Sequence, residues 1–226
     1  MNIVVLYICP VDIFGPEHYA RAVAFAQTLY RYPAGFPHRL VVVSNGGTPD
    51  TKTEALFAGA GAEFFERACV AKDIGAYQQC AREIPCDLMV FLGGSTYIRG
   101  ANWLLPVVRS FRRRGPGIYG SMVNCGDERF NVSPHVRTTG FWMPPALLNR
   151  YPIQVMHEHE RYPFEHGPEC LTTWVSKQKL GCWAVTWTSE YQLSDWTKIP
   201  DGFHRSQQEG LIFGDHLSRP PHYPHP

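Results

Sequence analysis

Residues 3–9 form an unbroken β-branched and aromatic run that Pro10 ends. Such a run has no polar face, so it fits a strand covered on both sides, as in a parallel sheet. Apolar stretches at 39–43 and 87–92 repeat the signal. Between them the pattern turns helical. Over 17–32, apolar residues recur at Ala20, Val23, Ala24, Leu29 and Tyr30, the period of one helix face. The alanine-rich stretch 51–60 predicts a helix ended by Gly61, residues 63–65 a short third strand, and 72–83 a helix that Pro85 stops. Strands alternating with helices through short turns imply right-handed crossovers and a mainly parallel sheet. The first roughly one hundred residues therefore read as a Rossmann-like half of an α/β domain.

The rest of the chain is more mixed. A helix is expected over 103–113, strands over 118–123, 140–143 and 182–187, and a helix over 169–180 closed by Gly181. Residues 157–168, rich in His, Glu, Tyr and Pro, read as a loop. From Pro200 onward Pro, Gly, His and Ser dominate, so the expected organisation is one domain over 1–199 and a Pro/His-rich tail over 200–226.

Bulk properties narrow the classes. With 226 residues, 44% hydrophobic and 18% charged, the chain can bury a substantial core and is not a disordered polymer. A net charge of +1 gives no bulk attraction to nucleic acid or anionic membrane, and Arg112-Arg113-Arg114 reads as a solvated helix end. None of the seven cysteines makes a C-x-x-C pair, which argues against a zinc ribbon or a thioredoxin motif. No apolar run approaches transmembrane length, and the opening MNIVVLYICP has no basic n-region. A reducing cytoplasm with free thiols is the expected setting.

Ligands of open parallel sheets bind beyond the carboxyl ends of the strands. That rule selects Pro10 and Asp12, Ser44 and Asn45 with the turn to Asp50, Lys72 and Asp73, and the turn Gly93-Gly94-Ser95. A carboxylate at a helix start, as at Asp73, both caps the helix and accepts hydrogen bonds from a base or ribose. Gly75 permits close approach. A plain helix cap is the other reading of Asp73.

The order of these motifs resembles glycosyltransferases of the GT-A fold. Ser44-Asn45-Gly46-Gly47-Thr48 stands where the inverting family 2 has an Asp-Asp-Gly-Ser-Thr-type turn holding the nucleotide base. Asp73-Ile74-Gly75-Ala76-Tyr77, then Gly93-Gly94-Ser95-Thr96-Tyr97, are similar to motifs of the rhamnan-synthesis type of bacterial polysaccharide transferase. The stretch from His135 to Trp142 looks like that branch's His-containing strand. The resemblance spans roughly residues 1–195. It implies a mainly parallel central sheet flanked by helices, with a smaller mixed part on the acceptor side. It also implies inverting transfer from a nucleotide-diphosphate sugar, dTDP-rhamnose or a UDP-sugar, to a glycan or other hydroxyl acceptor.

One departure matters. The family places an Asp-x-Asp-like carboxylate after the central strand to hold Mg²⁺ or Mn²⁺, and Gly93-Gly94-Ser95 has none. Either the chemistry needs no such metal or its ligand lies elsewhere; lost activity is a further reading, leaving a nucleotide- or glycan-binding module. Glu169 and Gly181 match the spacing of the family's helix-opening base and closing glycine, with Cys170 in place of the usual Asp. Glu169 is therefore the first candidate for general base and Glu165 the second. His157-Glu158-His159 and His166 make the densest set of metal-ligand types, although an acceptor-facing solvated loop is the reading we favour. His135 reads either as a satisfied, partly buried histidine or as a contact to pyrophosphate or metal. Trp142, with His135, is a candidate on the acceptor side, against the commoner use of Trp as core. His204 and Arg205 are candidates to fold over a diphosphate. A nucleotidyltransferase ranks last, because the early Gly-rich Lys/Arg loop of such enzymes is missing.

Overall fold

The structure is a computed structural model that describes residues 1–10, 16–68, 71–199 and 210–215. The first part runs β1 (Ile3–Pro10), α1 (Pro16–Arg31), β2 (Arg39–Asn45), α2 (Thr51–Phe57), β3 (Glu63–Arg67), α3 (Lys72–Glu83) and β4 (Leu88–Leu92). A 3₁₀ turn prolongs α2 through Ala60, and Gly61, at φ 62°, ends it. There follow β5 (Tyr97–Ile98), α4 (Leu104–Arg114), β6 (Gly117–Gly120), β7 (Val123–Asn124), β8 (His135–Val136), β9 (Gly140–Met143) and α5 (Pro145–Leu148). The last elements are α6 (Arg161–Glu165), α7 (Leu171–Lys177), β10 (Gly181–Val185), β11 (Glu190–Gln192) and β12 (Phe213–Gly214).

Eight strands form one sheet in the order β11-β10-β6-β9-β4-β1-β2-β3. β1 to β4 are mutually parallel, and β10 runs parallel to β6. β9 is the exception: it lies antiparallel between β4 and β6. β11 forms an antiparallel edge on β10. The apolar runs are buried on both faces, as an unalternating pattern requires. Val4, Leu6 and Ile8 join one core with α3, while Ile3, Val5 and Tyr7 join the other with α1 and α4.

Three expectations are corrected. Residues 157–168 are not a loop throughout, because Glu160 reaches back to the amides of Met156 (2.6 Å) and His157 (2.9 Å) and starts a turn that leads into α6. The strand expected over 118–123 is split after Gly120, and β7 pairs instead with β8. The helix expected over 169–180 covers only α7, since Lys179 turns to φ 60°.

Residues 210–215, inside the segment expected as a tail, are built into the core. β12 pairs antiparallel with β5, and Leu211, Ile212 and Phe213 are buried. Phe213 meets Trp103 and Trp142 edge-on at centroid distances of 5.7 and 6.4 Å. Six cysteines among the described residues are free thiols, and no described helix is long and apolar enough to cross a membrane. Phe213→Ala is expected to cost about 3–5 kcal/mol in urea unfolding, the price of removing a core aromatic. A loss under 1 kcal/mol would mean that this strand does not belong to the folding unit.

Candidate functional site

Parallel strands bring their carboxyl ends to one edge: Pro10, Asn45, Arg67 and Leu92. The antiparallel run of β9 puts its first residue, Gly140, opposite Leu92. The link 137–139 that feeds β9 therefore arrives at the same edge as the turn leaving β4. The two are tied together. The Gly93 amide donates to the Thr139 carbonyl at 3.1 Å, and the Thr96 hydroxyl donates to the same oxygen. The Tyr7 hydroxyl donates to the Gly94 carbonyl at 3.1 Å.

Two helices add side chains through i,i+4 pairs, which share a helix face. On α3, Asp73 and Tyr77 form one pair; on α6, Arg161 and Glu165 form the other. The faces meet across Thr138. Arg161 pairs with Asp73 at 2.8 Å. Tyr77 donates its hydroxyl to the Thr138 carbonyl at 3.0 Å. The Thr138 amide and hydroxyl each donate to Glu165 Oε1 at 2.9 Å. The Arg161 Nε is buried with no hydrogen-bond partner among the described residues.

Asp73 is not the helix cap. Ala71 occupies that position, and Ala71 and Lys72 take φ 57° and 49°, a left-handed pair of non-glycine residues. Each such residue costs of order 1–3 kcal/mol and persists only where its surroundings hold it. Here Arg67 donates to the Lys72 carbonyl at 3.2 Å, and the Lys72 ammonium pairs with Glu158. Burial raises the pKa of Asp73; Arg161 opposes the rise and Glu165 adds to it. Burial likewise lifts the Tyr77 phenol well above its usual value, so it remains a donor.

A histidine pair completes the edge. His135 is 1% exposed; its Nδ1 lies 2.7 Å from the Ser133 carbonyl and its Nε2 2.9 Å from His166 Nδ1. His166 Nε2 lies 3.4 Å from Glu165 Oε2. Beside them Arg137 pairs with the fully buried Asp215 at 3.0 Å, and the Thr139 hydroxyl donates to Asp215 at 3.3 Å.

The structure thus brings Asp73, Glu165, His135 and the Gly93-Gly94-Ser95 turn together. Ser44 and Asn45 end β2 at the same edge, but their side chains are committed: Ser44 donates to the Gly47 carbonyl at 2.5 Å, and Asn45 accepts from Arg67 at 2.6 Å. Glu169 is 63% exposed and paired with Lys177 at 2.6 Å. Trp142 is wholly buried, stacked on Tyr119 at 6.0 Å, so its ring serves the core. Asp12, His204 and Arg205 lie outside the described residues. Sequence reasoning gave no role to Tyr77 and Arg137, which lie inside the quoted motifs, and did not reach Arg161 or Asp215. For Arg161 a signal existed, its i,i+4 spacing from Glu165.

The Gly93-Gly94-Ser95 turn does not fit a Mg²⁺ or Mn²⁺ site of the Asp-x-Asp kind. It offers one hydroxyl and no carboxylate, and hard divalent ions need oxygen ligands with charge.

No protein-family model and no curated protein sequence matches this chain. Solved structures match its fold. Mouse xyloside xylosyltransferase 1, apo form, is 8% identical over 80% of this chain and 82% of its own, with a TM-score of 0.50. A mannosyltransferase from Pyrobaculum calidifontis, solved with GDP-Man and Mn²⁺, is 13% identical with a TM-score of 0.48; this chain covers half of it. A cytidylyltransferase from Leptospira borgpetersenii is 17% identical over 79% of this chain and 72% of its own, with a TM-score of 0.46. The fold is of the GT-A, Rossmann-like type.

Asp215→Ala is expected to destabilise the protein by about 3–5 kcal/mol, because it leaves Arg137, 12% exposed, without its carboxylate. Chemical denaturation measures the loss; a change below 1 kcal/mol would show that Arg137 finds another partner at no cost.

Proposed function

We propose that the protein transfers a sugar from a nucleotide-diphosphate donor to a hydroxyl acceptor, with inversion. The observation that carries this reading is the Arg161 guanidinium, 30% exposed and held by Asp73 at the carboxyl edge of the sheet, whose buried Nε lacks an acceptor among the described residues. A buried donor left unpaired costs about 1–3 kcal/mol, and an anionic ligand oxygen would satisfy it. The site lies where this class of sheet binds nucleotides.

In this reading Asp73 and the turn after β2 face the nucleoside, and the Gly93-Gly94-Ser95 turn faces the diphosphate through backbone amides. Glu169 is the general base. Its carboxylate is exposed and its ion pair with Lys177 lies on the surface, so it is free to meet an acceptor hydroxyl. Glu165 is less suited to that task, because both its oxygens are engaged, one by Thr138 twice and one beside His166. The donor belongs to the dTDP- or UDP-sugars by resemblance, and the acceptor is a glycan or another hydroxyl compound.

The carboxylate-free turn favours a second reading, a GT-A-like module that binds nucleotide without turnover. One experiment separates the two. UDP, dTDP and GDP are titrated into the protein, and transfer or hydrolysis of the matching sugar nucleotides is followed. Glu169→Gln is expected to lower kcat about 10²–10⁴-fold with the donor KM nearly unchanged. Binding without turnover supports the module; absence of diphosphate binding under every condition sinks both.

A further inference from the structure

His135, His166 and Glu165 each offer one donor atom, and the three atoms lie within 4.8 Å of one another. The arrangement is fixed by the backbone rather than by flexible reach. His135 sits on β8, whose partner β7 holds it opposite Asn124, and the Ser133 amide donates to the His166 carbonyl at 2.8 Å. Glu165 is clamped by its two hydrogen bonds from Thr138. Ligands locked by a supporting shell are what a metal centre requires.

The tautomers follow from the contacts. A carbonyl can only accept, so His135 Nδ1 carries the proton that meets Ser133, and Nε2 presents a lone pair. His166 Nδ1 faces that lone pair at 2.9 Å, and its Nε2 faces a carboxylate at 3.4 Å. A lone pair and a carboxylate thus converge on the two sides of the His166 ring, and one metal ion could draw a donor from each of the three residues.

We infer that His135, His166 and Glu165 form a site for one first-row divalent transition-metal ion. Two imidazoles and a carboxylate suit Zn²⁺ or Co²⁺ better than Mg²⁺, Ca²⁺ or Mn²⁺, which favour oxygen. With metal–nitrogen bonds of about 2.0–2.1 Å, nitrogens 2.9 Å apart subtend about 90° at the ion, leaving positions open on the far side. His157 and His159 do not share this setting. Their rings stack at 5.6 Å on exposed residues without a fixed third ligand. The site stands without the transferase reading; only its use against a diphosphate, in place of the carboxylates the Gly93-Gly94-Ser95 turn lacks, rests on it.

The test is Co²⁺ and Zn²⁺ titration of the full chain after EDTA treatment and desalting, read by calorimetry and by the visible d–d bands of Co²⁺. One ion per chain is expected. His166→Ala and Glu165→Gln, each checked for folding by circular dichroism, are expected to weaken binding at least tenfold, and the His157→Ala/His159→Ala double variant to leave it unchanged. No stoichiometric Co²⁺ uptake overturns the site. Uptake that survives His166→Ala, or is lost in the double variant, also overturns it. A parallel UDP and dTDP titration with and without Zn²⁺ reports on the other reading: Co²⁺ bound with diphosphate affinity unmoved keeps the metal site and removes its role in donor binding.

Discussion

The link from Arg137 to Gly140 is the constraint on which the candidate site depends. The Arg137 amide donates to the Met122 carbonyl at 3.0 Å, and its side chain pairs with Asp215. Thr138 donates twice to Glu165 and accepts from Tyr77, and the Thr139 carbonyl closes the turn after β4. A segment between strands normally satisfies its polar groups in water. This one satisfies them with side chains from α3, α6 and residue 215, which ties three distant parts of the chain to one strand end. That cross-linking is only available because β9 runs against its neighbours and so enters the sheet at the carboxyl edge.

The electrostatics of the edge follow from the same convergence. Asp73 and Glu165 are close enough for each to influence a shared neighbourhood, and one guanidinium, Arg161, stands against Asp73. Like charges brought together under burial favour the neutral forms, and the cation offsets this in part. The left-handed backbone at Ala71 and Lys72 adds strain at the start of the same helix. The strain at Ala71 and Lys72 and the partly compensated charge thus meet at the strand ends, where ligand contacts can offset both.

The frame of the fold was legible because apolar runs at 3–9, 39–43 and 87–92 have only one stable use in a chain of this length. Direction was not legible. Gly140 to Met143 reads as a strand, yet four residues carry no mark of running antiparallel. α6 escaped because Pro163 looks like a breaker, whereas it falls in the first turn, where a missing N–H costs little. Residues 211–213 did carry a signal, an apolar triplet within a polar, proline-rich stretch, but composition outweighed it. Asp73 was singled out at a predicted helix start and Glu165 as the second candidate for general base, and the structure places both beside Thr138 and its partners. Tyr77 and Arg161 were missed because their meaning comes from the partners across Thr138.

The bare turn after β4 has a packing explanation of its own. Gly93 is buried, and a Cβ there would lie 3.4 Å from both the Thr139 Cα and the Tyr77 hydroxyl oxygen. A methyl group would just fit, but a carboxylate extending beyond it would meet the Thr139 backbone or displace the Tyr77 bond to Thr138. The contacts that pull α3 and the β9 link onto β4 therefore occupy the space that a carboxylate at residue 93 would need. The inferred cation donors lie instead on β8, at the end of α6 and just after it, and of these Glu165 is held by Thr138 of the same link. Exclusion of a long side chain at residue 93 and the clamping of Glu165 are thus two consequences of one arrangement, the docking of residues 137–139 against the end of the central strand.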